Sequence, residues 1–405
     1  MQLGPATRAT GLARLDAFIP RMGRRYAAGR NYDHGPGQHR DVSCLSPWLR
    51  RRLVTEDEVV EAAVRAHGLE GAEKFVQEVF WRGYFKGWLE QRPVVWAQYR
   101  DGLVADLAAL TRDRGLRCRV EDAEGGHTGI ACFDVWAREL VKTGYLHNHA
   151  RMWFASIWIF TLRLPWRLGA DFFYRHLLDG DPASNTLSWR WVAGLHTRGK
   201  SYAAENWNIA KFTNQRFAPP AGQLAEVTDG LQDQEPEGLP APQPLRVPHA
   251  PKEGLPSVLL ITEEDTRLEE MGLHGFDIRA VATLSASHLR SPRAVAPQVA
   301  AFEAEALSDA AMRAGGGAQT LQADVPSALA LWVARAGAVQ IITGYVPQGP
   351  LYDWLRAAAP VLKGQGITLC EWQRDWDRAI WPHATAGFFK VRKQIPKIVT
   401  QRQLI

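Results

Sequence analysis

The stretch LLDGDPASNTLSWRWVAG, residues 177–194, decides how the rest of the sequence is interpreted. It sets two aspartates, Asp179 and Asp181, close to an asparagine and two tryptophans. A buried carboxylate needs cationic or N–H partners, because an unpaired charge away from water is costly. Arg151, on a predicted helix upstream, is available as such a partner. The stretch is therefore a candidate for a buried polar site, although core packing is the first interpretation of any tryptophan.

The chain of 405 residues is long enough for two or three domains. No run approaches the roughly 18 apolar residues that a membrane span requires. The first residues, MQLGPATRATGLARL, lack the hydrophobic segment of a signal peptide. We therefore expect a cytoplasmic protein without a membrane partner. Its four cysteines are far apart and form no CxxC pair, which favours neither a disulfide framework nor a metal site.

Basic residues are concentrated in the first half of the sequence. Residues 1–217 contain 31 Lys and Arg against 23 Asp and Glu, whereas residues 218–405 contain 17 against 20. An excess of cations favours a polyanionic partner, because phosphate contacts supply most of the sequence-independent affinity for nucleic acids. A solvated arginine-rich surface explains the same imbalance equally well.

Composition divides the chain into three parts. Residues 1–217 carry amphipathic segments such as GAEKFVQEVFWRGYFKGWLEQ, whose three- and four-residue spacing predicts helices. Residues 218–255 are rich in proline, glycine and acid, which predicts a linker. Residues 256–405 alternate apolar runs such as PSVLLIT with helical stretches, which predicts a parallel sheet with helices on both faces. The expected fold is an all-α domain followed by a doubly wound, Rossmann-like α/β domain that lacks a GxGxxG or Walker loop.

The segment DVSCLSPWLRRRL, residues 41–53, predicts a helix start in the first part. Ser46 stands directly before Pro47, which is typical of a serine cap followed by proline at the first helical position. Free N–H groups and the helix dipole at such a point favour an anion such as a diphosphate. An ordinary capped helix gives the same pattern.

Two further segments place polar groups on helix faces. In EVFWRGYF, residues 78–85, Glu78 and Arg82 are four apart, which predicts either a surface ion pair or an aromatic wall that buries charge. In TGYLHNHARMW, residues 143–153, the two histidines point to different faces, so no metal site is predicted. The asparagine, arginine and methionine of that segment share one face, which suits a planar, hydrogen-bonding ring.

Together these segments resemble the flavin-binding helical domain of the photolyase/cryptochrome family. The agreement runs in order through SCLSPWL, FVQEVFWR, TGYLHNHARM, LPWRLGADFF, LLDGDPASNTLSWRWVAG and GKSY. It spans about residues 26–217, or roughly half of the chain. Each motif alone is weak, but six motifs in the right order and spacing are specific to the family.

The resemblance implies a non-covalently bound FAD folded into a U. Its diphosphate would be held by Ser43, Leu45 and Ser46, with Tyr32 as an upstream contact. The isoalloxazine ring would lie among six polar side chains, namely Arg82, Asn148, Arg151, Asp179, Asp181 and Asn185.

The resemblance also implies roles for single residues. Arg151 and Asp179 would form a buried ion pair, and Asn185 would face the flavin N5 and favour reduced flavin. Trp189 matches the flavin-proximal member of the family's tryptophan relay, and Trp166 matches the middle member. The distal position lacks a tryptophan, and its candidate substitutes, for which core packing is an alternative role, are Trp136, Trp153 and Trp158.

The implied reaction is light-dependent DNA repair. In photolyases the excited reduced flavin gives one electron to a pyrimidine dimer flipped from the duplex, the dimer splits, and the electron returns. Glu78, Trp81 and Met152 match the residues that contact cyclobutane dimers. A carboxyl group whose pKa is raised by burial could donate a hydrogen bond to the dimer. His149 stands where many relatives direct an arginine at a DNA phosphate.

The domain order differs from the family's usual order. Photolyases begin with an α/β antenna domain, whereas here residues 1–217 would form the flavin domain and residues 256–405 an antenna-like domain. We therefore predict a circularly permuted photolyase-like protein. The segment WPHATAGFFKVRKQIP resembles the connection between the two domains. No motif identifies a second, antenna chromophore.

Two functions are compatible with the sequence. The favoured function is that of a deoxyribodipyrimidine photo-lyase, a carbon–carbon lyase acting on UV-damaged DNA. The alternative is a cryptochrome-like blue-light photoreceptor that signals to a protein partner without repairing DNA. A light-independent flavoprotein that binds nucleic acid is a third and weaker hypothesis.

Overall fold

A computed structural model describes residues 3–404 of the chain. The helical first part contains α1 (Arg8–Phe18), α2 (Arg24–Gly29), α3 (Ser46–Arg50), α4 (Glu56–Gly71), α5 (Glu73–Glu90), α6 (Pro93–Arg112), α7 (Arg114–Gly125), α8 (Ala131–Thr143), α9 (Asn148–Ser156), α10 (Trp166–His176), α11 (Pro182–Val192) and α12 (Asn206–Phe212). Within residues 3–404, no helix has both the length and the apolar composition that crossing a bilayer demands.

The second part contains the strands and the remaining helices. The strands are β1 (Pro256–Thr262), β2 (Asp277–Ser285), β3 (Gln319–Gln322), β4 (Gln340–Gly344) and β5 (Thr368–Trp372). The helices are α13 (Pro297–Arg313), α14 (Pro326–Arg335), α15 (Pro350–Gly364), α16 (Asp375–Ile380), α17 (Phe389–Arg392) and α18 (Ile395–Gln401).

The five strands form one parallel sheet in the order β3-β2-β1-β4-β5, which confirms the predicted parallel sheet. Alternate residues of β1 serve opposite faces. Val258 and Leu260 pack into the core that includes α14 and α15, whereas Leu259 and Ile261 pack into the core that includes α13. Because both faces of the sheet are covered, the sequence of β1 is a nearly continuous apolar run. The strand order reverses between β1 and β4, which places a crevice at their carboxyl ends.

The last helices return to the helical part of the molecule. Trp376, Ile380 and Trp381 are fully buried and belong to the same core as α5. Gly87 of α5 is required by this contact, since a Cβ atom there would lie 2.7 Å from the Trp381 ring and 2.8 Å from its Cα. Residues 376–404 therefore complete the helical core rather than the sheet.

A buried ionic cluster joins the two parts of the molecule. It consists of an arginine triplet, Arg50, Arg51 and Arg52, and an acidic triplet after β1, Glu263, Glu264 and Asp265. The three arginine side chains are no more than 4% exposed. Arg50 Nη1 and Nη2 donate to both carboxylate oxygens of Glu264 at 2.9 and 2.7 Å, Arg51 reaches Glu263 at 3.3 Å, and Arg52 reaches Asp265 at 3.3 Å. Such charges are tolerated in the interior only when each has a partner.

His147 fixes the start of α9, the helix that carries Arg151. Its Nδ1 accepts the backbone N–H of His149 at 3.2 Å, and the residue is 1% exposed. Burial lowers the pKa of His147 to about 4, although the nearby Asp33 carboxylate partly opposes this effect. The histidine is therefore neutral in the folded protein at neutral pH.

The first prediction concerns the ionic cluster. Glu264→Gln leaves Arg50 without its bidentate partner, so we expect the free energy of unfolding to fall by about 3 kcal/mol. Urea unfolding followed by circular dichroism measures the change. Asp277→Asn, which removes one member of an exposed pair with Arg279, should change it by less than about 1 kcal/mol. Equal effects of the two variants would contradict the role given to the cluster.

The second prediction concerns pH. The unfolded chain binds a proton at His147 below the ordinary pKa of 6.5, whereas the folded protein does so only near pH 4. The unfolded state then holds more protons, so stability should fall as the pH drops from about 6.5 to 4. His147→Asn keeps a good helix cap and should make this loss smaller. Urea midpoints between pH 7 and 4.5 test it, and an unchanged slope in the variant would argue against it.

Candidate functional site

Arg151 and Asp179 form a bidentate ion pair in the centre of the helical part. Arg151 Nη1 and Nη2 donate to the two carboxylate oxygens of Asp179 at 3.1 and 2.9 Å. The guanidinium is further fixed because Nε donates to the Leu146 carbonyl at 2.8 Å and the group lies over the Tyr145 ring at 5.5 Å. Burial by itself would raise the pKa of Asp179, but the charge and hydrogen bonds of Arg151 lower it. The structure thus brings together the pair that the sequence predicts, with both groups charged.

Asp181 lies two residues further and has one oxygen available. Its Oδ1 accepts the Ser184 N–H at 2.8 Å and caps α11. Its Oδ2 is buried, lies 3.4 Å from Lys86 Nζ and 3.6 Å from Arg50 Nε, and makes no hydrogen bond within the part of the chain that the structure describes. Burial opposes ionisation, yet Lys86, Arg50 and Arg82 lower the pKa of Asp181. The carboxylate is therefore ionised and can accept one further hydrogen bond.

Lys86 and Arg50 were not among the residues predicted from the sequence. Both also contact Glu264, so they connect Asp181 to the acidic triplet after β1. A signal for Lys86 was present, because it follows Arg82 by four residues on the same face of α5. No local pattern links Arg50 to Asp181, since the contact depends on the tertiary fold.

Arg151, Asp179 and Asp181 form a polar centre, and Asn185 and Trp189 follow Asp181 along α11. Asn185 Nδ2 donates to the Ala170 carbonyl at 2.8 Å, which fixes the amide and leaves its carbonyl oxygen for another donor. Trp189 is 2% exposed, and its Nε1 has no partner among residues 3–404. Gly169 allows this packing, because a Cβ atom there would lie 2.4 Å from the Trp189 ring and 2.9 Å from Trp158.

Trp166 packs against aromatic side chains of α6. Its ring lies 5.9 Å from Tyr99, and Tyr99 lies 5.3 Å from Trp96. Trp96 is buried and donates to Asp353 of α15 at 2.7 Å. Trp96 and Tyr99 were not predicted from the sequence, although their three-residue spacing places them on one face of a helix.

The three tryptophans considered as substitutes for the distal relay member lie elsewhere in the core. Trp158 packs edge-on to Trp189 at 6.3 Å. Trp136 and Trp153 stack on each other at 5.4 Å, and Trp153 also stacks on His149 at 4.0 Å. All three are fully buried.

The segment before α3 differs from its prediction in one respect. Helix α3 begins at Ser46, Leu45 is the cap residue, and no side chain in the described part of the chain bonds to the helix end, so the predicted serine cap is wrong. The reason is Cys44, whose φ of 51° turns the chain so that Leu45 already has helical angles. Ser43 Oγ accepts the Leu45 N–H at 3.3 Å. The hydroxyl of Ser46 interacts with Asp179, which ties this segment to the ion pair.

Tyr32 and Asn148 are two further predicted cofactor contacts. The Tyr32 ring stacks on His34 with the ring centroids 6.1 Å apart, and it lies edge-on to Phe212 with the centroids 5.1 Å apart. Asn148, at the first turn of α9, is exposed. The neighbouring His147 and His149 belong to no cluster of three metal-binding side chains within residues 3–404.

Glu78 pairs with Arg30 rather than with Arg82. The predicted surface ion pair along α5 is therefore wrong, because Arg30 beside α2 approaches the carboxylate more closely. Arg82 instead lies close enough to Asp179 and Asp181 to lower the pKa of both carboxyl groups. Burial raises the pKa of Glu78, although the Arg30 charge partly offsets this.

The other two predicted dimer contacts are half-buried. Trp81 stacks on Phe388 of the C-terminal segment, with centroids 4.0 Å apart and ring planes at 14°. Met152 lies on α9 one residue after Arg151. His149 points inward, since its ring nitrogens contact the Asn31 carbonyl at 3.0 Å and the Tyr202 hydroxyl at 3.2 Å. Its imidazole is thus engaged inside the protein.

The unpaired polar atoms of this centre test whether a flavin fits. Buried atoms that lack a hydrogen-bond partner among residues 3–404 include an acceptor, Asp181 Oδ2, and two donors, Arg82 Nε and Trp189 Nε1. A buried polar group costs free energy unless it is hydrogen-bonded. A flat ring with both donors and acceptors on its edge can supply those bonds, so the residues fit a flavin.

Comparison with known proteins gives the same assignment. Residues 75–222 match the family model described as the FAD binding domain of DNA photolyase. The chain is 38% identical over 157 residues to a deoxyribodipyrimidine photo-lyase of Streptomyces griseus, which covers 38% of this chain and 33% of that protein. It is 34% identical over 197 residues to the Thermus thermophilus enzyme of the same name, which covers 47% of this chain and 43% of that protein.

A cryptochrome is also among the relatives. The chain is 33% identical over 189 residues to a cryptochrome DASH of Ostreococcus tauri, which covers 45% of this chain and 32% of that protein. The chain thus spans less than half the length of each of these relatives. Residues 75–222 are therefore similar to the FAD binding domain of the photolyase/cryptochrome family.

Proposed function

We propose that the protein is a light-dependent deoxyribodipyrimidine photo-lyase that repairs cyclobutane pyrimidine dimers in UV-damaged DNA. The observation that carries the proposal is the arrangement of α5. This helix presents Glu78 and Trp81, the predicted dimer contacts, directly before Arg82, which lies close to Asp179 and Asp181. Groups for substrate and for cofactor are therefore adjacent.

The polar centre would bind and orient the isoalloxazine ring. When bound and reduced, FAD supplies the electron that light makes available. Arg82 and Arg151 place positive charge beside the ring site, which favours a negatively charged reduced flavin. Asp181 Oδ2 and the carbonyl oxygen of Asn185 supply fixed acceptors for ring N–H groups. Ser43, Leu45 and Ser46 are proposed to hold the diphosphate, and Tyr32 and Asn148 remain predicted contacts of the rest of the cofactor.

The dimer would be held by a mixed apolar and polar wall. Trp81, already stacked on one side by Phe388, is a rigid surface for a flipped dimer, and Met152 adds an adaptable apolar contact. Glu78 would donate a hydrogen bond to a carbonyl of the dimer once protonated; burial raises its pKa, whereas the ion pair with Arg30 opposes protonation. With one electron supplied to the dimer, the two carbon–carbon bonds that join the two pyrimidines would break and each base would regain its double bond; the electron would then return, so no external oxidant or reductant would be consumed.

Two tryptophans are proposed to deliver electrons to the flavin site. Trp189 is the inner member and Trp166 the next, as the resemblance implies. Their indoles are 2% exposed, which protects them from side reactions with water. Tyr99 and Trp96 continue from Trp166 towards α15 and are further candidates.

The order of the two parts supports a circular permutation. The helical residues come first, and the parallel sheet follows a segment, residues 218–255, that contains no α-helix or strand and consists of turns, irregular chain and one short 3-10 helix (Gln232–Gln234). The closing segment, residues 376–404, packs on α5 and so ties the C-terminal end to the helical part. We infer that the sheet corresponds to the antenna domain of photolyases, moved to the C-terminal side.

A cryptochrome-like photoreceptor is the alternative function. The inward orientation of His149 favours it, because relatives that repair DNA often direct an arginine to a phosphate from this position. A photoreceptor would bind flavin in the same way and would pass a conformational signal to a protein partner.

The third prediction tests the cofactor contacts. Asp179→Asn breaks the bidentate pair that fixes the Arg151 guanidinium at the ring site, so we expect FAD content after purification to drop at least tenfold. The flavin absorbance of the protein after desalting measures this. Asp122→Asn, an exposed change on α7, should keep the wild-type content. Full flavin content in Asp179→Asn would show that the pair does not hold the cofactor.

The fourth prediction tests repair. Illumination of the reduced, FAD-loaded protein with a dimer-containing oligonucleotide should restore thymine absorbance. Glu78→Gln should lower the yield per absorbed photon severalfold, because the amide donates a weaker hydrogen bond, while leaving flavin absorbance unchanged. Glu61→Gln on the surface of α4 serves as the control. Binding of the oligonucleotide without any repair by the wild-type protein would favour the photoreceptor.

A further inference from the structure

Two exposed aromatic side chains stand out on the surface. Trp207 is 61% exposed and Phe389 is 57% exposed, and they are the aromatic members among the exposed large hydrophobic residues in the described part of the chain. The other exposed residues of this group are aliphatic side chains and a methionine, such as Val247 and Met312. Single exposed apolar residues are ordinary, so the significance of this pair depends on its location.

Phe389 lies next to the wall that holds Trp81. The preceding residue, Phe388, is the one whose ring stacks on Trp81 at 4.0 Å. Three residues after Phe389, Arg392 donates to Glu73 at the start of α5 at 2.9 Å. Helix α17 therefore runs alongside α5, with Phe388 turned inward and Phe389 turned to solvent.

Trp207 lies on α12, which contacts α9, the helix that carries Met152. The residue after it, Asn208, accepts the indole N–H of Trp153 at 3.0 Å. Trp153 directly follows Met152 and stacks on His149. The two exposed aromatic residues thus belong to helices, α12 and α17, that contact α9 and α5, and these carry the proposed dimer contacts.

Phe389 lies in a segment that carries exposed lysines. Residues 378–405 contain six Lys and Arg and no Asp or Glu. Lys390, Lys393 and Lys397 are exposed and spaced three and four apart, and none of them forms a salt bridge among residues 3–404. Lys393 Nζ lies 5.8 Å from the Phe389 ring. Aromatic rings flanked by lysines form the combination that binds single-stranded nucleic acid, by stacking on bases and by contacting phosphates.

We propose that Phe389 and Trp207 contact DNA on the two sides of the dimer pocket, with Lys390, Lys393 and Lys397 on the phosphates beside Phe389. The proposal rests on the proposed function, because that function defines the pocket. A flipped dimer leaves the opposite bases without partners and its neighbours without a stacking surface. The two rings would replace that stacking and so favour DNA in which the dimer is already out of the helix.

Binding in the dark tests this contact without requiring repair. The FAD-loaded protein is titrated into a fluorescein-labelled duplex with one thymine dimer, and into the same duplex without it. Phe389→Ala and Trp207→Ala should each weaken binding to the damaged duplex by about fivefold or more, as expected when a base loses an aromatic stacking partner. The preference for damaged over undamaged duplex should shrink as well.

The lysines are tested by salt dependence. Lys390→Ala combined with Lys393→Ala should reduce the slope of log affinity against log salt by about 1.8, because each lost phosphate contact removes about 0.9. The matched controls are Met312→Ala and Lys363→Ala, exposed residues of α13 and α15, which should bind like the wild type. Flavin absorbance and thermal midpoint should be unchanged in every variant, since all altered side chains are exposed.

The outcomes separate this proposal from the proposed function. Wild-type affinity in both aromatic variants would overturn the contact while leaving repair untouched. Weakened binding in the variants together with no repair by the illuminated wild type would support the contact and overturn the photo-lyase. Failure of the wild type to bind either duplex would overturn the contact directly.

Discussion

The buried contact between the arginine triplet and the acidic triplet is the constraint on which the structure depends. Charges at such depth are stable only when they are matched, so the helical part and the sheet can pack only in the register that pairs them. Arg50 shows the consequence most clearly. It binds Glu264 after β1 and also lies 3.6 Å from Asp181, so one side chain holds the domain interface and shapes the polar centre.

The interface also uses the edge of the sheet where α/β proteins commonly bind ligands. The acidic triplet follows β1, and the segment after β4 meets the end of α5. There Glu90 accepts hydrogen bonds from the Tyr345 hydroxyl and the Gln348 N–H, both at 2.6 Å. Burial raises the pKa of Glu90 to about 7, although these two hydrogen bonds oppose it. The crevice at the reversal of strand order is therefore occupied by contacts with the helical part, which makes the two parts one functional unit.

Strand β1 and the main ion pair of the site could be predicted from the sequence because both depend on local chemistry. The apolar run PSVLLIT predicted β1 with its observed bounds, since a strand buried on both faces has no polar alternation. The pair of Arg151 and Asp179 could be predicted because a buried carboxylate needs a cationic partner and Arg151 lies on the preceding helix. The rest required the tertiary fold. Arg30 displaced Arg82 as the partner of Glu78, and the left-handed Cys44 moved the start of α3, although neither effect leaves a periodic signal.

The central claim is that a flavin occupies the polar centre formed by Arg151, Asp179 and Asp181. The most direct measurement is the visible absorption spectrum of the purified chain after incubation with FAD and removal of free cofactor. The account predicts the bands of bound flavin at about one FAD per chain. A colourless protein that is folded by circular dichroism would contradict it, because the unpaired buried groups would then serve some other purpose.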